Sequence, residues 1–386
     1  MLCISFGRLS FRTFYPLFTS VFYVCRSLIF FNVNGSNFKC PVLFRMLLMA
    51  IGMITCYFLE IISMCRQNSL FNTLKDSCKK YFKEYQIMIL FFVLGILDCC
   101  SFLFFSNFFA IQDNDTEFIL PVFRMFELFI VCVISYFLFK ELLYLHNYLA
   151  LILILIGLIF IIPTLAYNEF IWSSLVYGLI AIIFFAILET SEKWIMDKKF
   201  FSPHEINFFI GFYSLIISTV FCVVGSFTVC PDWLAFCIGD GNKGNKMINF
   251  SEISSYLSEN VYYILQVIAF ILLTVGYNTF IQLVFKYFTT SHRIIADCFS
   301  SLILMFIDFG QDSSLLYIPR IFGGVIIMVG ILFFNEILIA HFCGLDKNTK
   351  EKISSRADEV DKLSSEVQQF SEMETANDDK EEQLFD

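Results

Sequence analysis

The sequence predicts an all-α polytopic membrane protein: ten transmembrane helices in two inverted five-helix repeats. Three observations carry that expectation. Of 386 residues, 58% are hydrophobic and only 16% are charged, too apolar for a water-soluble chain of this length. Continuous apolar runs of roughly 20 residues recur, enough to cross ~30 Å of hydrocarbon, and they lack the alternation of a β-barrel strand. Finally, ten such runs fall into two sets of five, with charges at matching places in each.

A short cytoplasmic segment, 1–12, precedes the first run, 13–32. That run is the weakest, with Pro16 and Arg26, and no small-residue cleavage site marks it as a signal peptide. The second run is 42–64. Runs three and four, 86–108 and 117–139, are closely joined. The fifth, 144–164, is apolar, contains Gly157 and closes the first repeat, 13–164. The second repeat, 171–339, holds runs at 171–191, 206–228, 261–285, 289–309 and 317–339. Its eighth and ninth runs form the corresponding close pair. Its last run carries Gly323, Gly324 and Gly330. Because five is odd, the second repeat enters the membrane upside down relative to the first, as in many secondary transporters, whose sites lie between the repeats near the midplane.

Basic residues orient the chain. The loop after run two carries Arg66, Lys75, Lys79, Lys80 and Lys83, and the one after run six carries Lys193, Lys198 and Lys199. The opposite side has Lys39, Lys243, Lys246 and Arg320, with Arg45 at the border. The positive-inside rule then places both termini in the cytoplasm. The sequons at Asn34, Asn114 and Asn249 all fall on the luminal or extracellular side of this arrangement. Asn249 and Asn34 are the glycosylation candidates, since Asn114 lies too close to the membrane. The long luminal loop, 229–260, also holds Cys230 and Cys237, which either form a disulfide or remain thiols. Its "GDGNKG" has no preceding strand or βαβ unit and reads as a flexible loop.

The final segment, 340–386, is polar. From Asp346 onward it has 13 acidic and 6 basic residues, most of the chain's net charge of −9. Such a composition cannot bury a core, so a disordered cytoplasmic tail is expected, with room for a cytoplasmic partner. The remaining body is nearly neutral and offers nothing to nucleic acid. The 51 phenylalanines and the cysteines within apolar runs read as lipid-facing and packing residues.

The fourth run, "FILPVFRMFELFIVCVISYFLF", carries Arg124 and Glu127 at i and i+3, on one helix face and ~10 Å inside the span. The ninth carries Arg293 and Asp297 at i and i+4. Charge at such depth costs at least ~2.5–3.5 kcal/mol unless it meets protein or water. Inversion would place the two arginines on opposite sides of a central cavity, where a planar guanidinium suits a phosphate or carboxylate. Each pair is alternatively a closed structural bridge. Asp98 in run three and Asn278 in run eight are further substrate-binding candidates. Glu127, Asp297 and Glu189 are candidates for charge partners or proton coupling, and Glu189 stands with Glu192 and Lys193 at the end of run six. The histidines, 146, 204, 292 and 341, have no metal-ligand spacing, and no P-loop or nucleophile elbow is present. No catalytic set, metal or cofactor is expected.

At these residues the sequence resembles the drug/metabolite transporter superfamily, specifically solute carrier family 35, subfamily F. The likeness lies in "LDCCSFLFFSNFFAI", "VFRMFELFIVCVISYFLFKELLYLHNYLALILILIGLIF", "ETSEKWIMDKKFFSPHE" and "YNTFIQLVFKYFTTSHRIIADCFSSLILMFID". Those stretches cover roughly half the chain. Asp98, Arg124, Glu189, Lys193, Asn278, Thr290, Arg293 and Asp297 fall where the family has like residues. Chloroquine-resistance-type transporters of the same superfamily are similar more weakly. The resemblance implies ten helices in inverted repeats and a transporter of endomembranes: Golgi, ER, or lysosome or vacuole. Glu127, the first run and the long polar luminal loop depart from the family pattern.

The expected function is therefore alternating-access transport of a small anionic or zwitterionic solute, without enzymatic chemistry. The lipid bilayer and the solute are the expected partners, and a homodimer is compatible with this architecture. The rival expectation is a non-transporting membrane scaffold acting through its acidic tail.

Overall fold

The computed structural model describes residues 4–6, 14–35, 41–66, 85–112, 119–140, 143–167, 174–231, 246–259, 261–308 and 317–340. Eleven helices lie among them: α1 (Phe14–Gly35), α2 (Val42–Arg66), α3 (Tyr85–Gln112), α4 (Ile119–Phe139), α5 (Leu145–Tyr167), α6 (Ser174–Lys199), α7 (Pro203–Phe227), α8 (Phe250–Glu259), α9 (Val261–Tyr287), α10 (Thr290–Asp308) and α11 (Tyr317–Phe334). Two short strands, β1 (Ile4–Phe6) and β2 (Leu338–Ala340), pair antiparallel, with Ile4 opposite Ala340 and Phe6 opposite Leu338.

The chain is thus an all-α membrane protein apart from that ribbon. Within α3, α4, α5, α6, α7 and α9, six segments are long and apolar enough to cross a membrane. Two shorter apolar segments are Val42–Phe58 and Ile318–Phe334. These helices are apolar on more than one side. Ile152, Ile159, Phe212, Val220 and Leu272 are exposed while their neighbours are buried, as expected where lipid replaces water.

Three boundaries differ from the sequence expectation. α6 continues to Lys199 instead of ending at 191, so Glu189, Glu192 and Lys193 sit inside a helix and are buried. Their charge lowers local apolarity, but side-chain partners described below compensate. α11 stops at Phe334; Glu336 takes a left-handed φ of 56°, and β2 occupies the expected last turn. The 229–260 loop contains α8, whose Ile253 is buried in one cluster with Leu43, Met46, Cys222 and Ile248.

Cys230 is disulfide-bonded. Cys237 lies outside the described residues, as do Asn114 and the tail beyond residue 340. Asn249 is exposed just before α8, and its Oδ1 accepts a 2.9 Å bond from the Ser251 hydroxyl. Asn34 falls in the last turn of α1, and its side chain is outside the described residues.

Two compact units divide the chain. One comprises Met1–Leu9, Leu142–Ile154 and Val329–Asp386. In it, His146 Nε2 lies 3.1 Å from Glu336 Oε1, and the Tyr144 ring stacks on His146. The other comprises Ser10–Glu141 and Leu155–Met328 and holds every charged residue discussed next.

In this second unit α2 packs on α7, α1 on α9, α3 on α6 and α4 on α10; further contacts join α3 to α7, α2 to α9, α4 to α6 and α1 to α10. α5 and α11 cross at glycines. A Cβ on Gly157 would fall 2.7 Å from the Gly323 carbonyl oxygen, and one on Gly323 would fall 2.6 Å from that of Gly157. Only glycine on both helices permits this approach. α7 begins with a capping box in "SPHE": the Ser202 hydroxyl accepts from the Glu205 N–H, the Glu205 carboxylate accepts from the Ser202 N–H, and Pro203 opens the helix.

Candidate functional site: a buried charge network

Arg124 is buried on α4, and its Nη1 donates to Glu127 Oε2 one turn along. The guanidinium lies over the rings of Phe185, 5.0 Å from the centroid, and Phe105, at 6.0 Å. Aromatic faces stabilise a cation where water is excluded. Arg124 also interacts electrostatically with Asp297 on α10 and with Tyr23 and Tyr277.

Arg293, on α10, turns to α6. Its Nη1 donates to Glu192 Oε2 at 2.8 Å, and its Nε lies 3.2 Å from Glu189 Oε1. The Phe285 ring lies 4.5 Å from the guanidinium. The alternative in which Arg293 closes on Asp297 of its own helix is replaced by this pairing. Both Asp297 oxygens instead face the Tyr277 hydroxyl of α9, at 2.9 and 3.0 Å. Arg26 of α1 lies over the same Tyr277 ring, at 4.5 Å, and over Tyr23, at 5.3 Å.

Amides extend the network. Gln282 Nε2 donates to Glu192 Oε2 at 3.0 Å and to Asn207 Oδ1 at 2.9 Å. Asn207 Nδ2 donates to the Asn278 backbone oxygen, so here Asn278 contributes its main chain. Asp98 accepts a 2.7 Å bond from the Ser214 hydroxyl of α7, and it interacts electrostatically with Glu192 and Arg293. Lys193 is held apart: its Nζ donates to the Phe285 carbonyl at 2.8 Å and pairs with Asp197 at 3.2 Å.

The two arginine centres are electrically one. Glu189 senses Arg293, Glu127, Asp297 and Arg124, and Glu127 senses Arg124, Asp297 and Arg293. Arg124, Arg293, Asp98, Glu127, Asp297 and Glu189 therefore belong to a single network. Glu192, from the cluster the sequence singled out at the end of run six, belongs to it too, and Tyr277, Gln282, Asn207, Arg26 and Ser214, to which sequence reasoning assigned no role, complete it. A signal existed for Gln282, one turn after Asn278, and for Arg26, the charge that weakened the first run. Nothing in the sequence linked Tyr277 to Asp297.

Several buried atoms of this network have no hydrogen-bond partner: Glu127 Oε1, Glu189 Oε2, Gln282 Oε1, Arg124 Nε and Arg293 Nε. Such groups are costly when dry. No three His, Cys, Asp or Glu side chains among the described residues converge on a metal-sized site.

No family model matches the chain, and no curated protein does. A solved structure described as "Crystal structure of protein" is similar, with a TM-score of 0.51 and 13% identity, over 84% of this chain and 96% of its own. At that identity the likeness concerns the fold alone.

Proposed function

We propose that this chain is a secondary transporter of the drug/metabolite type, moving a small charged solute through the network around Arg124 and Arg293 by alternating access. The carrying observation is the network itself. Charged and amide groups from both halves of an apolar chain meet at a buried place, and some of their polar atoms have no protein partner. A scaffold gains nothing from that arrangement, because well-packed apolar residues would be cheaper.

Helix pairing supports ten spans in two inverted repeats. Numbering the spans without α8, a shift of five maps the pair α1–α9 onto α6–α3, α2–α9 onto α7–α3, and α1–α10 onto α6–α4; α2–α7, α4–α10 and α5–α11 map onto themselves. In this reading the termini are cytoplasmic, the membrane is that of an endomembrane compartment, and no covalent chemistry takes place.

The guanidiniums already hold the protein's own carboxylates. A solute carboxylate would have to displace them, whereas a positive group meets unpartnered oxygens. A zwitterion therefore fits this site better than a simple anion. The test is uptake by proteoliposomes containing the full-length chain, screened with amino acids, organic anions and nucleotide sugars. Saturable uptake that is lost in Arg293→Lys supports transport. Leakage-level flux for every solute overturns it.

A further inference from the structure

We infer that the network binds the ammonium group of an organic amine through N–H donors, and that a diammonium matches its charge. This inference deepens the transporter reading and rests on it for the site's purpose, though not for binding as such.

Charge is the first observation. Asp98, Glu127, Glu189, Glu192 and Asp297 place five carboxylates in the network, against the three guanidiniums of Arg26, Arg124 and Arg293. Lys193 does not correct the imbalance, because Asp197 pairs with it. Among the described residues two carboxylates are in excess, in a site almost closed to solvent. Buried charge in excess is expensive; protons relieve it, and so does a cation from outside, which a diammonium supplies in matching number.

Orphaned acceptors are the second, independent observation. Glu127 Oε1, Glu189 Oε2 and Gln282 Oε1 come from three helices, α4, α6 and α9, each in a residue only 1% exposed. Acceptors without donors ask for N–H or O–H groups. The unpartnered donors, Arg124 Nε and Arg293 Nε, belong to guanidiniums that are already ion-paired. The ring faces of Phe105, Phe185, Phe285, Tyr23 and Tyr277 are taken by the protein's own guanidiniums, so the orphaned acceptors are what the site offers a ligand. The carboxylates do not converge as metal ligands do, which favours an organic cation over a metal ion.

The experiment uses the purified full-length chain in detergent, with melting temperature and calorimetric titration as readouts. Four probes are used: 1,6-diaminohexane; hexamethonium, a dication lacking N–H groups; glutarate; and calcium. A ligand that binds only the folded state must raise the melting temperature. The inference expects stabilisation by 1,6-diaminohexane, binding of hexamethonium weaker by at least about tenfold, and no effect of glutarate or calcium. Glu189→Gln should weaken the diamine by about tenfold or more, while Ser202→Ala, in the capping box of α7 and outside the network, should leave it unchanged.

Equal binding of hexamethonium overturns the hydrogen-bonding part. Stabilisation by glutarate or calcium instead of the diamine, or by no probe, overturns the inference whole, whatever the variants do. Diamine binding without proteoliposome uptake leaves the inference standing and overturns the transport reading. Uptake of a solute that bears no amine, with no binding of the diamine, does the reverse.

Discussion

Arg124 shows why a membrane helix carries a full charge. Its guanidinium is held by Glu127 on the same helix and covered by Phe105 and Phe185. Removing only one partner leaves the other buried without its direct ion-pair partner. Arg124→Leu or Glu127→Leu should therefore destabilise the protein by about 3–5 kcal/mol, read as a loss of melting temperature in detergent. The double change to leucine should recover most of that loss yet remain inactive in uptake, because the network's charge pattern is gone. Wild-type uptake by the double variant would reduce the pair to a structural bridge. Arg293→Lys is a different test. Lysine keeps the charge but cannot span Glu189 and Glu192 with one planar fork. Solute affinity should fall while the amount of folded protein stays near wild type.

Helix pairs turn these residues into a site. The α5–α11 crossing depends on the absence of side chains at Gly157 and Gly323, each of which meets the other's carbonyl oxygen. Gly323→Val should separate the helices and lower stability by about 1–3 kcal/mol, with Gly157→Val giving a loss of the same order. Unchanged melting by both would mean the crossing has slack. The capping box of α7 gives a smaller, local prediction. Ser202→Ala removes the acceptor for the Glu205 N–H and should cost about 1 kcal/mol, without changing solute affinity. α7 bears on the site through Asn207 and Ser214 further along, which hold Gln282 and Asp98.

For the whole molecule, the prediction is topological. Lysines and arginines concentrate after the second run and at the end of α6, and the positive-inside rule then predicts both termini in the cytosol. A tag following Asp386 should be accessible when only the plasma membrane is permeabilised, and Asn249 should carry any N-glycan, seen as a glycosidase-sensitive mobility shift. A tag protected in the lumen would invert the arrangement. Truncation after Leu345 separates the two functional readings. A transporter keeps its uptake without the acidic tail, whereas a scaffold acting through that tail loses its activity.

The sequence by itself determined the class and the positions of the deep charges. Each follows from the chain's local composition: bilayer thickness sets run length, and charge within a run is visible residue by residue. Arg124 with Glu127 was legible because i and i+3 share a helix face. Tertiary structure alone decided the remaining pairings. Arg293 chose Glu189 and Glu192 over Asp297 because α10 meets α6 there, while Asp297 found the Tyr277 hydroxyl of α9. α6 ran on to Lys199 because those partners compensate charges that made its end look like a boundary. The same holds for the surplus of carboxylates. Counting them requires knowing which charges face one another, and that depends on how helices distant in sequence pack together.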